Sequence, residues 1–251
     1  MTDLHQLQFY ATPEHSCSYL ENRQAKTIFV DPNAELDKNH YSTLSDLGFR
    51  RSGNHIYRPH CQHCNACVSA RIPVDLFRPS KSQKRVLSLN NDIQLQSFDP
   101  TYTDEYYALY ERYIRVRHAD GDMYPASKEQ FQAFLVDTQY STRFVEFRAG
   151  KTLIAVAVVD FLEHGISAIY TFFDPDEQHR SPGKLAILKL IQLAHCEGLP
   201  YLYLGYWIKN CQKMAYKVNY RPIQLLIAGH WVHLPEGEIE QLNAENILRN
   251  S

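Results

Sequence analysis

Residues 142–196, TRFVEFRAGKTLIAVAVVDFLEHGISAIYTFFDPDEQHRSPGKLAILKLIQLAHC, hold three β-rich runs followed by one apolar helical run. Thr142–Ala149, Thr152–Phe161 and Ile166–Phe173 are rich in Val, Ile, Phe and Tyr, with Gly150-Lys151 and His164-Gly165 at the turns. That is the pattern of successive strands. The longest apolar stretch, Leu153–Val159, reads as a strand buried on both faces. Asp174-Pro175 ends the third run, and apolar spacing from Gly183 to Cys196 predicts a helix. Working outward, Tyr201–Trp207 reads as a strand, Asn210–Asn219 as a helix and Ile223–Ala228 as a last strand. Upstream, Thr103 is placed to cap a helix whose Tyr106, Leu109, Tyr110, Tyr113 and Ile114 recur at three- and four-residue spacing. Ser127 and Gln130 have capping-box spacing before a second helix that runs through Val136. The predicted order is ααβββαβαβ.

The N-terminal part reads as shorter elements. Lys26–Val30 predicts a strand stopped by Asp31-Pro32, Asn39–Leu47 a helix ending at Gly48, and Phe49–Arg58 a hairpin turning at Gly53-Asn54. Val68–Val74 predicts a strand, Ser80–Leu89 a helix and Ile93–Phe98 another strand. Asp99-Pro100 is the expected boundary between domains 1–99 and 100–251. The element order after it resembles that of acyltransferases of the N-acetyltransferase (GNAT) type. The expected fold class is therefore mixed α/β, with a C-terminal acetyltransferase-like domain behind a smaller N-terminal α+β domain.

Composition narrows the function. Of 251 residues, 44% are hydrophobic and 22% charged, which excludes a disordered chain or a fibre. Lys and Arg number 26 against 28 Asp and Glu, so a polyanion partner must be held by local patches. No run is long enough to span a bilayer, and Met1–Tyr10 lacks the pattern of a secretory signal, so a soluble cytosolic protein is expected. Seventeen tyrosines suit half-wet clefts. In a reducing cytosol the six cysteines are not a disulfide framework.

Several segments carry chemistry. Arg180-Ser181-Pro-Gly183-Lys184-Leu185-Ala186 lies between a strand and a helix, where a glycine and a helix N-terminus favour an anion. It resembles the pyrophosphate loop of acetyl-CoA-dependent N-acetyltransferases, with Leu185 in place of the usual second glycine. Lys209, Lys213, Lys217 and Arg221 recur every four residues with no acid among them, and Arg78, Lys81, Lys84 and Arg85 form a second basic cluster. Each reads either as a solvated face or as a phosphate grip. Tyr203, Tyr206, Trp207, Tyr216 and Tyr220 surround the first stripe and offer rings for base stacking or for the core. Cys61-x-x-Cys64-x-x-Cys67, with Cys17 at a distance, has the spacing of a zinc or iron–sulfur site. Three reduced structural cysteines fit the same spacing.

Together these segments resemble the aminoacyl-tRNA–protein transferases. The likeness runs through Arg51-Ser-Gly53, Tyr57-Arg-Pro59, the cysteine cluster, Ala70-Arg71-Ile72 and Phe77-Arg-Pro-Ser-Lys81-Ser-Gln-Lys84-Arg85. It continues in Tyr170-Thr-Phe-Phe-Asp-Pro175, Ser181-Pro-Gly183, Leu204-Gly-Tyr-Trp-Ile208, Lys213-Met-Ala-Tyr-Lys217 and Tyr220-Arg-Pro222. Tyr-Arg-Pro-His-Cys-x-x-Cys-x-x-Cys resembles the bacterial branch, the aspartate/glutamate leucyltransferases. The resemblance implies transfer of leucine from leucyl-tRNA to protein N-termini beginning with Asp or Glu, creating a degradation signal, with no membrane partner. Some eukaryotic arginyl members bind iron–sulfur or metal through an N-terminal cysteine pair, where this chain has Cys17 followed by Ser18-Tyr19-Leu20.

Aminolysis of an activated ester needs positioning, an oxyanion donor and a proton route, but no required cofactor. On that scheme Arg180, Ser181, Gly183 and Lys184 hold the 3′-terminal phosphates of the tRNA. Lys209, Lys213, Lys217 and Arg221, with Lys81, Lys84 and Arg85, grip other phosphates. Tyr170 and Tyr206 orient the ester or relay a proton, and Arg71 or Arg78 meets the acceptor carboxylate. The competing readings are an arginyl donor, an acetyl-CoA-dependent N-acyltransferase and a non-enzymatic zinc-bearing RNA-binding module.

Overall fold

Local side-chain caps explain where several of the helices begin. A computed structural model describes residues 6–121 and 123–242. Residues 1–5, from the stretch read as lacking a secretory signal, and the end of the expected 100–251 domain lie outside them. The N-terminal part holds β1 (Phe9–Ala11), β2 (His15–Ser16), β3 (Gln24–Ala25), β4 (Thr27–Val30), α1 (Lys38–Asp46), β5 (Arg50–Ser52) and β6 (His55–Pro59). Next come β7 (Val68–Pro73), α2 (Lys81–Leu89), β8 (Ile93–Phe98), α3 (Asp104–Arg117) and α4 (Lys128–Phe131). Ser80 and Gln83 cap α2 reciprocally, the Thr103 hydroxyl accepts from the Tyr106 N–H, and Ser127 accepts from Gln130. The run after α4 does not continue as an α-helix, for Gln132–Val136 widen into a π turn.

The expected three-strand run is present as β9 (Thr142–Ala149), β10 (Thr152–Phe161) and β11 (Gly165–Phe173). It is followed by α5 (Pro182–Cys196), β12 (Tyr201–Trp207), α6 (Gln212–Ala215), β13 (Gln224–Ile227), β14 (His230–His233) and α7 (Glu236–Gln241). The order matches the expectation and adds β14 and α7. The helix expected over Asn210–Asn219 is only α6 and a 3-10 turn at Tyr216–Asn219. α6 lacks a side-chain cap, and the lysines four apart in and around it, Lys209, Lys213 and Lys217, work against propagation.

One sheet has the order β14-β13-β7-β12-β11-β10-β9-β8, and a second has the order β1-β4-β6-β5. Successive side chains of β10 feed two cores. Ala157 and Val159 pack with Leu185, Leu188 and Ile191 of α5, whereas Val156 and Val158 pack with Leu109, Tyr110 and Ile114 of α3. A strand buried on both faces explains the unbroken apolar run at Leu153–Val159. Strands β7 and β8, from before Asp99-Pro100, lie in this same large sheet, so one core runs across the expected boundary. The small sheet is tied to β10 by the Arg51 guanidinium, which grips the fully buried Asp160 carboxylate at 2.7 and 2.9 Å.

Candidate functional site

β11 and β12 run parallel but pair over only three residues, Gly165–Ser167 with Tyr201–Tyr203. Gly165 sits at the closed end, where a β-carbon would stand 2.3 Å from the Tyr201 carbonyl oxygen. Beyond that the strands part, and their facing backbone groups are not paired with each other. The opening lies at the carboxyl ends of a β-α-β unit, a place where such sheets receive ligands. α5 begins there, with Gly183 3.5 Å from the Phe173 ring, taken from the place its β-carbon would occupy. That is an ordinary contact, so packing does not demand a glycine at 183.

A bulge at Tyr203–Gly205 shapes the β12 side of the opening, and Gly205 has φ +75°, a conformation few other residues adopt. A β-carbon on Gly205 would meet only the Lys217 amine, at 3.7 Å. Lys217 is 4% exposed and donates to the Tyr206 carbonyl, with Met214 Sδ at 3.4 Å. Burial, followed by the charge of Arg50, pushes its ammonium down to about 7, against the smaller opposite pull of Cys211 and Cys67. The expected lysine stripe is therefore corrected at Lys217, which points inward and grips no phosphate.

The two tyrosine candidates separate. Tyr206 is buried, and its hydroxyl donates to Gly48 O at 2.9 Å and lies 3.3 Å from Tyr57 O, the bonds of a structural phenol. Tyr170 is half-buried among Tyr110, Tyr113 and Phe134, with only Met123 Sδ at 3.7 Å as a weak partner for its hydroxyl. Burial pushes the Tyr170 phenol well up, which keeps its proton on the oxygen.

The cations divide similarly. Arg180 grips the Asp92 carboxylate at 2.9 and 3.0 Å and Glu177 at 2.8 Å, so its guanidinium is occupied inside the fold. Ser181 adopts a left-handed conformation ahead of α5, and Lys184 is exposed on its first turn. Lys213 is exposed and pairs with Asp120 at 3.2 Å, Lys209 is exposed and bonds the Glu240 carbonyl, and Arg221 is half-buried. Lys81, Lys84 and Arg85 are exposed on α2. Asn90 donates to the Arg180 carbonyl at 3.0 Å, which brings the end of α2 to the loop before α5.

Arg71 is engaged within the fold. It is 8% exposed, pairs with Asp46 at 3.0 Å, donates to Gln224 at 2.8 Å and stacks 3.6 Å from the Tyr201 ring centre. Exposed Arg78 donates to the Asp75 and Phe77 carbonyls.

Cys17, Cys61, Cys64 and Cys67 line one cleft together with Arg23, Arg58 and Tyr206. Burial and then the neighbouring Cys61 push the Cys67 thiol up to about 12. Among the described residues no three His, Cys, Asp or Glu side chains converge as ligands of one metal ion would. The arrangement therefore does not fit the expected zinc or iron–sulfur site. Sequence reasoning missed Arg50 and the inward turn of Lys217, and gave no role to Arg58 and Gly205 within the motifs it quoted. The adjacent Arg50-Arg51 pair on a strand was the available signal, because alternation sends neighbours to opposite faces.

Among the described residues no helix is long and apolar enough to cross a membrane. The profiles of the arginine-tRNA-protein transferase N terminus and C terminus match residues 15–85 and 105–227. Aspartate/glutamate leucyltransferase of Pseudomonas savastanoi pv. phaseolicola is 57% identical over 93% of this chain and 100% of its own length. That of Pseudomonas syringae pv. syringae is 58% identical over the same shares. The solved structure of L-PGS from Bacillus licheniformis gives a TM-score of 0.41 at 12% identity, over 65% of this chain and 50% of that one. That likeness is too slight to argue from. On its two matched profiles and full-length relatives, the chain belongs to the aminoacyl-tRNA–protein transferase family, in the aspartate/glutamate leucyltransferase branch.

Proposed function

We infer that the protein transfers leucine from leucyl-tRNA to the α-amine of proteins beginning with Asp or Glu, in the cytoplasm, marking them for degradation. The observation that carries the reading is the parted β11–β12 pair, with α5 starting at its mouth and a buried amine at Gly205, in a chain of this family. The acceptor α-amine, with an ordinary pKa of about 7.7–8.0, attacks the leucyl carbonyl. The new C–N bond forms and the ester C–O bond breaks. Lys217, near neutrality when uncharged, takes the proton from the attacking amine and returns it to the leaving ribose oxygen. The Tyr170 hydroxyl donates to the carbonyl oxygen as negative charge develops there. The first turn of α5 and Lys184 face the terminal phosphates of the tRNA. Lys81, Lys84, Arg85, Lys209, Lys213 and Arg221 supply the wider grip. The scheme routes no step through a metal or cofactor.

The test is a transfer assay with purified protein and peptides beginning Asp, Glu, Lys or Ala, each offered leucyl-tRNA, arginyl-tRNA or acetyl-CoA. Leucine on the Asp and Glu peptides alone is the expected product by mass. Arginine on those peptides overturns the donor, and acetylation overturns the reaction.

A further inference from the structure

Arg71 is engaged inside the fold and exposed Arg78 rests against two local carbonyls, whereas a third arginine, Arg58, lines a cleft. We propose that the cysteine-lined cleft receives the side-chain carboxylate of the acceptor's N-terminal Asp or Glu, with Arg58 as its ion-pair partner. The proposal rests on the transfer reading above and assigns its acceptor subsite.

Position is the first argument. Tyr206 belongs to both places, since it lines the cleft while its carbonyl holds the Lys217 amine at the strand opening. On the proposal, a residue whose side chain enters the cleft presents its backbone amine towards the strand opening on the other side of Tyr206. Charge is the second argument. The cleft is lined by Arg23, Arg58 and His60, and no Asp or Glu is among the lining residues. Arg58 donates to the Leu47 carbonyl at 3.1 Å and stands 5.0 Å over the Phe49 ring, and it forms no ion pair with a described residue. Arg58 is half-buried, and that burial pulls its charged form down. An arriving carboxylate would relieve that cost.

Arg50 strengthens the field from below. It is 5% exposed, lies 6.0 Å from the Tyr206 ring centre, and its Nε and Nη2 have no partner among the described residues. The charge of Arg50 also acts on Lys217, second to burial. Buried cations are normally paired, so an arginine lining a cleft without Asp or Glu, with a second one near the same tyrosine, favours an anion there.

The experiment compares peptides beginning Asp and Asn with saturating leucyl-tRNA, using the full chain and its Arg58→Met and Arg58→Lys variants. Loss of one partner of a desolvated charge pair predicts that Arg58→Met raises the acceptor KM about 100-fold. The KM for leucyl-tRNA stays unchanged, the preference for Asp over Asn collapses, and Arg58→Lys recovers part of it. A folded Arg58→Met that keeps the Asp preference overturns the pocket while leaving the transfer reading intact. Failure of the unmodified chain to leucylate Asp or Glu peptides overturns both.

A second measurement needs no substitution. With an unreactive amide-linked leucyl-tRNA bound, an Asp peptide should slow alkylation of Cys61 and Cys64 several-fold, and an Asn peptide should not. Equal protection by both peptides, or none, overturns the proposal. Protection by the tRNA analogue alone, unchanged by peptide, assigns the cleft to phosphate and also overturns it.

Discussion

Arg50 and Arg51 are neighbours on β5, both about 95% buried, and they do opposite things. Arg51 spends every arm of its guanidinium: the Asp160 carboxylate takes two N–H groups, the Gly53 carbonyl accepts at 2.6 Å, and Thr142 stands at 3.3 Å. Arg50 bonds only the Ser45 and Phe49 carbonyls, through Nη1, and leaves Nε and Nη2 without a partner among the described residues. Strand alternation sends one side chain to the junction with β10 and the other towards the tyrosines of β12. The first is a rivet between two sheets. The second is charge held in reserve beside the site.

The largest effect should come from breaking the rivet. Asp160→Ala strands a guanidinium at zero exposure, which costs about 3–5 kcal/mol when one member of a buried pair is removed. Urea unfolding should show that loss, and the double replacement Arg51→Met/Asp160→Leu should recover most of it. A drop under about 1 kcal/mol in Asp160→Ala would mean that the junction does not depend on this pair. Arg50→Met is the counterpart. Its two bonds to carbonyls disappear, but so does an uncompensated charge, so stability should move by no more than about 1 kcal/mol. A fall as large as that in Asp160→Ala would erase the distinction between the two arginines.

Lys217 sharpens the same contrast through pH. An unfolded lysine keeps its proton to about pH 10.4, whereas the folded one gives it up near 7. The unfolded state therefore binds more protons between those values, and stability should rise with pH across that window. Below it the buried ammonium is a fixed liability. As a proton carrier Lys217 must be uncharged, so kcat should climb through about pH 7, and only the limb of the acceptor amine should survive in Lys217→Met. An unchanged profile in that variant would remove Lys217 from the reaction.

What could be read from the sequence was local. Thr103, Ser127 and Gly53 determine their caps and turn through neighbours a few residues away, and the element order followed from them. The place of β7 between β12 and β13 was not legible, because the alternation in Val68–Pro73 says strand without naming its neighbours. The site failed for a related reason. A sequence shows where cations are but not where their carboxylates fall, and Asp46 and Asp92 reach Arg71 and Arg180 from distant segments. Lys217 misled because its spacing assumed a continuous helix, and the chain turns inward before one forms.

The smallest expected effect tests that lesson on the tRNA side. Arg180 is held by Asp92 and Glu177, and the Asp92 carboxyl is in turn held low by the Arg180 hydrogen bonds. Arg180→Ala should thus leave the salt dependence of leucyl-tRNA binding unaltered, with little change in Tm because the pair is partly exposed. Lys81, Lys84 and Arg85 are exposed on α2, beside the loop that leads into α5. Removing one phosphate-binding cation from that helix should flatten the slope of log K against log salt by about 0.7–0.9. A double Lys84→Ala/Arg85→Ala variant should thus bind tRNA more weakly at low salt while its acceptor KM stays the same. If Arg180→Ala flattens the slope and the α2 variant does not, the anion site lies on the ion-paired arginine after all. The free surface of α2 would then be only a solvated face.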